Sequence, residues 1–186
     1  MVFIAIVGVG VAGILSVLHL TTRSSAEPMI QKQALAIAES LLEEVQLKPF
    51  TVCDPDDPNA AAAMGPANCT GLAGGPNDES FLPLGPETAA SVGGAEGRYA
   101  TPQFDNVSDY NGFDSAAEAP PGLKDINQAA LAGLDAYAAT ITVAEQALGI
   151  VPAADSLLIT VTVTGPANTT VVLQGFRTRY ARNTLP

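Results

Sequence analysis

The spacing of hydrophobic and polar positions changes three times along the chain, and each change predicts a different element. From Met1 to Thr22 there is no Asp, Glu, Lys or Arg, and the run reads MVFIAIVGVGVAGILSVLHLTT. As a helix it would measure about 33 Å, enough to cross a hydrocarbon core of roughly 30 Å. After Arg23 the pattern becomes amphipathic. Ile30, Ala34, Ile37, Leu41 and Val45 recur at helical spacing and form one apolar stripe, which Leu35, Ala38 and Leu42 widen. Gln31, Lys32, Glu39, Glu43 and Glu44 fall on other positions. Pro28 kinks or restarts this helix, and Pro49 ends it, because a residue before proline is pushed out of the α region. The two stretches together predict a helix of about 48 residues, on the order of 70 Å long. Residues 1–22 are apolar all round, and residues 23–48 bury one face.

Residues 49–133 contain most of the Pro, Gly and Asn and keep no sustained period, so they read as a long loop region. A loop of this length has to be tied down over a sheet. Cys53 and Cys69 supply a tie. An even pair in an exported chain reads as a disulfide, whereas in the cytosol the same two residues would stay reduced. Residues 134–186 then alternate with the period of a strand. Ala136 to Val143, Ser156 to Thr164 and Thr169 to Tyr180 predict three strands, the last two joined through the turn-forming Gly165-Pro166-Ala167-Asn168. In the second strand Leu157, Ile159, Val161 and Val163 share one face. The expected fold is α+β, with one sheet face on the helix stripe and the loop region between them.

Charge changes this picture by dividing the chain in the same places. The 186 residues carry 19 Asp+Glu against 8 Lys+Arg, a formal charge of −11. Residues 1–48 are nearly balanced, and residues 156–186 hold Arg177, Arg179 and Arg182 with no acid. Residues 49–155 hold fifteen acids against only Arg98 and Lys124. This balance excludes a nucleic-acid surface, since nothing displaces counterions from phosphates. Arg177 and Arg179 lie two apart on one strand face. They read either as a solvated face or as a basic edge that meets the acidic loop of a neighbouring subunit.

Candidate chemistry is sparse. Gly8, Gly10 and Gly13 spell G-x-G-x-x-G after a β-branched run, the opening of a dinucleotide-binding enzyme. That fold needs a second strand after the helix, and SSAEPMIQKQALAIAESLLEEVQ continues a helical pattern instead. Residues 1–22 also compete as a signal peptide, with Ser24 and Ala26 before the cut but no basic segment ahead, and as a plain single-pass anchor. The only His, His19, lies in the apolar run, so no Ser–His pair or metal triad forms and no enzyme is expected. Two segments are rich in oxygen donors: Asp54, Asp56, Asp57 and Asn59, and then Asp105, Asn106, Asp109, Asn111 and Asp114. The second is a candidate calcium loop through Asp109, Asn111 and Asp114, although Val107 stands where an EF-hand has its first ligand. The competing reading is a turn-rich loop anchored by Phe104, Tyr110 and Phe113.

The apolar run MVFIAIVGVGVAGIL and its amphipathic continuation ALAIAESLLEEVQ resemble the N-terminal helix of the type IV pilin and pseudopilin superfamily. With Gly8 on that family's early glycine, Met1 falls at the seventh mature position. The family's peptidase-recognition segment, its N-methylated Phe and its early Glu are then expected upstream of Met1. Phe104-Asp-Asn-Val-Ser-Asp-Tyr-Asn-Gly112 is similar to a Tyr-Asp-Asp-Val-Asp-Asp-Tyr-Asn-Gly-like stretch of minor pilins of the mannose-sensitive haemagglutinin (MSHA) biogenesis protein D type. The resemblance implies a minor pilin of a type IV pilus, acting in adhesion or pilus biogenesis. Its helix, through Phe3, Ile4, Ile6, Val9, Val11, Ile14, Leu15 and Leu18, would sit in the lipid bilayer before assembly and in the filament core afterwards. Other pilin subunits, in a homo- or hetero-polymer, and the inner-membrane platform and assembly machinery are the implied partners. The implied location is the bacterial inner membrane, single-pass with a periplasmic head, and then the extracellular filament. A type II secretion pseudopilin is the alternative within the family, and a dinucleotide-binding oxidoreductase fragment the alternative outside it.

Overall fold

The computed structural model describes residues 28–87 and 94–179, together with Val11 and Ile14. The architecture is α+β, one helix packed on a small three-stranded antiparallel sheet. The helix, α1, runs over residues 28–46 of the described chain, with Pro28 at its first described position. Proline is tolerated in a first turn, where its missing N–H costs nothing. The helix ends at Gln46, and the chain passes through a turn at Leu47 and a bend at Lys48 before Pro49.

Ala34, Ala38, Leu41 and Val45 form the buried line of α1, with Ile30, Ile37 and Leu42 packed half-buried beside it. The small residues at 34 and 38 set this line close to the sheet. Leu35, expected to widen the stripe, is instead 38 % exposed. The buried stripe is one position narrower on that side than the spacing predicts.

The strands are β1 (Ala138–Glu145), β2 (Ser156–Gly165) and β3 (Thr169–Thr178), in the order β1-β2-β3. Each begins or ends within two residues of its predicted place. The register pairs Ile141 with Val161 and Val161 with Leu173. Ala139, Ile141 and Val143 on β1 and Leu157, Ile159, Val161 and Val163 on β2 are all buried against the helix. One slip of a single residue would turn this whole set to solvent, so the burial pattern fixes the pairing.

The loop region closes over what remains. Phe104, Val107, Tyr110 and Phe113 recur every three residues and all enter the same core. The segment that follows Tyr110 runs along the free edge of β1. Gly112 N–H donates to Ile141 O at 3.1 Å, Ile141 N–H to Phe113 O at 2.9 Å, and Ser115 N–H to Ala139 O at 2.9 Å. These bonds satisfy backbone groups that an open edge would leave unpaired. Cys53 and Cys69 are joined by a disulfide and sit in a satellite cluster with Val52, Ala60 and Ala63.

The expected apolar half-helix lies outside the described residues, and so do Phe3, Ile4, Ile6, Val9, Leu15, Leu18, His19 and the G-x-G-x-x-G segment. Val11 and Ile14 are helical and exposed. Among the described residues no helix is long and apolar enough to cross a membrane.

Candidate metal centre

The loop region gathers its acids into one place. Cys53 bridges antiparallel to Asp78, and Asp54 N–H donates to Asn77 O at 3.1 Å while Glu79 N–H donates to Val52 O at 3.0 Å. This short pairing sets Asp54 beside Glu79. Glu96 N–H donates to Glu87 O at 2.9 Å, which brings a second pair of acids together. Val107 N–H donates to Pro49 O at 3.1 Å and Asn106 Nδ2 to Thr51 Oγ1 at 2.9 Å, so the segment carrying Asp105 and Asp109 docks on the chain that carries Asp54.

Three overlapping carboxylate groups result: Asp54, Glu79 and Glu87; Asp54, Asp56 and Asp105; and Glu87, Glu96 and Asp109. In each group one oxygen per residue lies within 4.8 Å of its companions. Asp54 and Asp109 are completely buried and Glu79 is 2 % exposed. Each of these three has one carboxylate oxygen held by the protein. Asp109 Oδ2 accepts from the N–H groups of Asp105 and Asn106 at 2.9 and 2.7 Å, Asp54 Oδ1 from Asp56 N–H at 2.5 Å, and Glu79 Oε2 from the Ser108 hydroxyl. The other oxygen of each, Asp109 Oδ1, Asp54 Oδ2 and Glu79 Oε1, meets no N–H or hydroxyl donor, and neither does Asp105 Oδ1, Glu87 Oε2 or either oxygen of Glu96, while the Glu87 carboxyl faces those of Glu79 and Glu96 directly.

Burial in mutual company raises Asp54, Glu79, Glu87, Glu96, Asp105 and Asp109. Burial is the first cause throughout. It lifts Asp54 to about 6, with the Asp56 N–H opposing and the charges of Glu87, Asp56 and Asp57 adding to it. Asp105 rises to about 7, driven next by Asp54, Asp56 and Glu87, with Lys48 opposing. Glu96 rises to about 10, with the charges of Asp109 and Glu87 adding most after burial. Glu79 and Asp109 stand well above their ordinary range, and Glu87 is raised as well. An array of this kind is ionised at neutral pH only with a compensating cation inside it.

The nearby cations make their direct contacts elsewhere. Arg98 grips Glu44 through two bonds, Nε to Oε1 at 2.8 Å and Nη2 to Oε2 at 2.6 Å. Lys124 lies over the Tyr99 ring at 4.7 Å. Lys48 donates to Phe104 O at 2.7 Å. A cavity of about 200 Å³ opens beside the array, lined by Glu79, Glu87 and Ser108 among others.

The structure separates the three residues of the sequence-level calcium loop. Asp109 enters the array. Asn111 fastens the loop to the sheet, its Nδ2 donating to Leu84 O at 2.8 Å and its Oδ1 accepting from Val143 N–H at 2.9 Å. Asp114 caps a turn by accepting from Ala116 N–H. Asp57, from the first acidic segment, accepts from Thr70 N–H and Oγ1 and so pins the disulfide loop. Glu79, Glu87 and Glu96 were not foreseen. Glu87 and Glu96 stand alone and Glu79 follows only Asp78, all in an aperiodic stretch, and the only signal for them is an excess of acid without local base.

The basic edge resolves likewise. Arg179 stacks on the Phe50 ring at 3.9 Å, donates to Phe50 O, Thr51 O and Ala154 O, and lies 3.8 Å from Asp155. It clamps the end of the sheet to the start of the loop region within one chain. Arg182 lies outside the described residues. No protein family, no curated protein and no solved structure matches this chain.

Proposed function

We propose that the chain is a pilin-like structural subunit, a minor pilin by its nearest resemblance, that assembles into an extracellular filament through its N-terminal helix. The observation that carries the reading is a junction. The charge-free run of residues 1–22 precedes in sequence the helix α1, which is docked on a small sheet. A simple anchor has no use for an amphipathic continuation fixed to its own head. A subunit that must hold its head at a set distance and angle from a filament core does. The disulfide and the similarity of residues 104–112 to MSHA-type minor pilins point the same way.

The mechanism on this reading is mechanical. Helix residues 1–22 rest in the bilayer, and on extraction they exchange lipid for the helices of sister subunits, where close packing replaces contact with hydrocarbon tails. The head, built on α1 and the three strands, faces outward with its acidic loops.

The test is the location of the full chain in cells carrying the assembly machinery. An antibody against the head should find it in the inner membrane and in filaments sheared from the surface. Replacing Ile6 and Val9 by Asp should remove it from both fractions, because each charge opposes insertion by about 2.5–3.5 kcal/mol. Recovery of the unaltered chain only as a soluble cytosolic protein would end the proposal.

A further inference from the structure

We propose that the buried carboxylate array is a calcium site, in which ions held among Asp54, Glu79, Glu87, Glu96, Asp105 and Asp109 lock the loop region onto the helix–sheet core. The inference is independent of the filament reading and stands on the geometry of the head alone. Acidic clusters on surfaces are common and need no ion. This one differs because Asp54, Glu79 and Asp109 are buried, and each presents to its neighbours an oxygen that meets no N–H or hydroxyl donor. Native interiors rarely leave such atoms unpaired. Leaving several carboxylate oxygens together in this way is explained by a positive group among them.

The donor set selects the ion. All donors are carboxylate oxygens, and both cysteines are bonded to each other, so the soft-ligand sites of zinc and copper are not available. The donors come from four separate loop segments without regular geometry. Calcium accepts six to eight oxygens in an adaptable shell, whereas magnesium demands a near-ideal octahedron and keeps several waters. The Ser108 hydroxyl and the N–H groups of Asp105, Asn106 and Asp56 each hold one oxygen of a carboxylate, which orients the other. The cavity at Glu79 and Glu87 gives water and ions a way in.

Two experiments on the full chain, kept in mild detergent and freed of metal with a chelator, test the site. In the first, calcium at about a hundred times its dissociation constant should raise the unfolding midpoint by about 5–10 °C, and magnesium at the same concentration by less than half of that. Glu79→Gln and Asp109→Asn should each weaken the calcium response at least tenfold, while Asp114→Asn, outside the array, should leave it unchanged. In the second, terbium bound to the unaltered chain should luminesce on tyrosine excitation, the chain having no Trp and Tyr110 following Asp109 directly, and calcium should quench the signal. A chain in which the acids merely share protons gives the opposite pattern: no calcium shift, no displaceable terbium, and higher stability in Glu79→Gln. That pattern overturns the proposal. A calcium response that survives both array substitutions overturns the placement, and an equal response to magnesium overturns the choice of ion.

Discussion

At the scale of single residues, the head is organised by where its few cations go. Arg98 is 7 % exposed and Glu44 23 % exposed at their side chains, and the pair is made by two hydrogen bonds, with the Tyr110 hydroxyl donating to Glu44 Oε1 at 2.9 Å as a third. Burial alone would raise the Glu44 carboxyl. The Arg98 hydrogen bonds and charge outweigh it and hold the group below its ordinary 4.5. Glu44→Gln leaves a buried guanidinium without its counter-charge and should cost about 3–5 kcal/mol in a urea unfolding experiment. The sign of the pH effect follows from the lowered value. The ionised Glu44 contributes fully above the unfolded-state value near 4.5 and loses that contribution as pH falls through the lower folded value. The stability gap between the unaltered chain and Glu44→Gln should therefore be constant above about pH 5 and close in more acid solution. A gap that stays constant to pH 2 would show that the loss comes from packing and not from charge. Little of this was legible in the sequence. Glu44 looked like an exposed helix acid beside Glu43, and its partner lies 54 positions away in an aperiodic stretch.

At the scale of elements, sequence and structure agree where one period persists for eight residues or more. The alternation of Leu157, Ile159, Val161 and Val163 located β2 and its buried face, and the stripe through Ala34, Leu41 and Val45 located the docked side of α1. What periodicity does not reveal is how closely the elements approach. Tyr137, 4 % exposed, lies beside the end of β2 and donates its hydroxyl to Gln33 Oε1 at 2.7 Å, joining sheet and helix. A Cβ on Gly165 would stand 2.6 Å from the Tyr137 ring, a distance real contacts do not reach. Gly165→Ala should therefore displace the ring, break the bond to Gln33 and destabilise the head by about 1–3 kcal/mol. Gly175→Ala meets chiefly the mobile end of Gln46 and should cost less. Thermal unfolding of both variants checks the order, and an equal or reversed order would mean that the ring yields freely. In the sequence Gly165 read only as the start of a turn, because a close approach leaves no trace in hydrophobic spacing.

At the scale of the whole molecule, the question is what holds some eighty residues of irregular chain in one arrangement. Few ladders are available to residues 49–133, and their contacts span long sequence distances, so composition identified a loop region but could not draw it. The structure supplies the core side chains Phe104, Val107, Tyr110 and Phe113, the bonds of residues 111–115 to β1 and the disulfide, and the proposed calcium site would add a further fastening. The disulfide spans 16 positions, and closing such a loop in the unfolded chain is worth about 3 kcal/mol on the chain-entropy model. Cys53 immediately precedes Asp54, so the covalent and the acidic fastenings meet at one point. They should act together. Removing the bond would free the backbone that presents Asp54, and on the proposed site withdrawing calcium would restore repulsion among the acids around it. Replacing both cysteines by Ser should therefore lower stability by about 3 kcal/mol in chelator and by more in calcium, because the calcium contribution shrinks as well. Limited proteolysis gives the spatial form of the same claim. With calcium chelated, the first cuts should fall between residues 60 and 87, where turns such as Leu72 and Gly74 are exposed, while the strands survive. Calcium should slow those cuts in the disulfide-bonded chain and have less effect in the double Ser variant. Cuts that begin in β1–β3, or that ignore calcium in both chains, would mean that the array does not hold the loops, and that the aromatic contacts and the disulfide alone are sufficient.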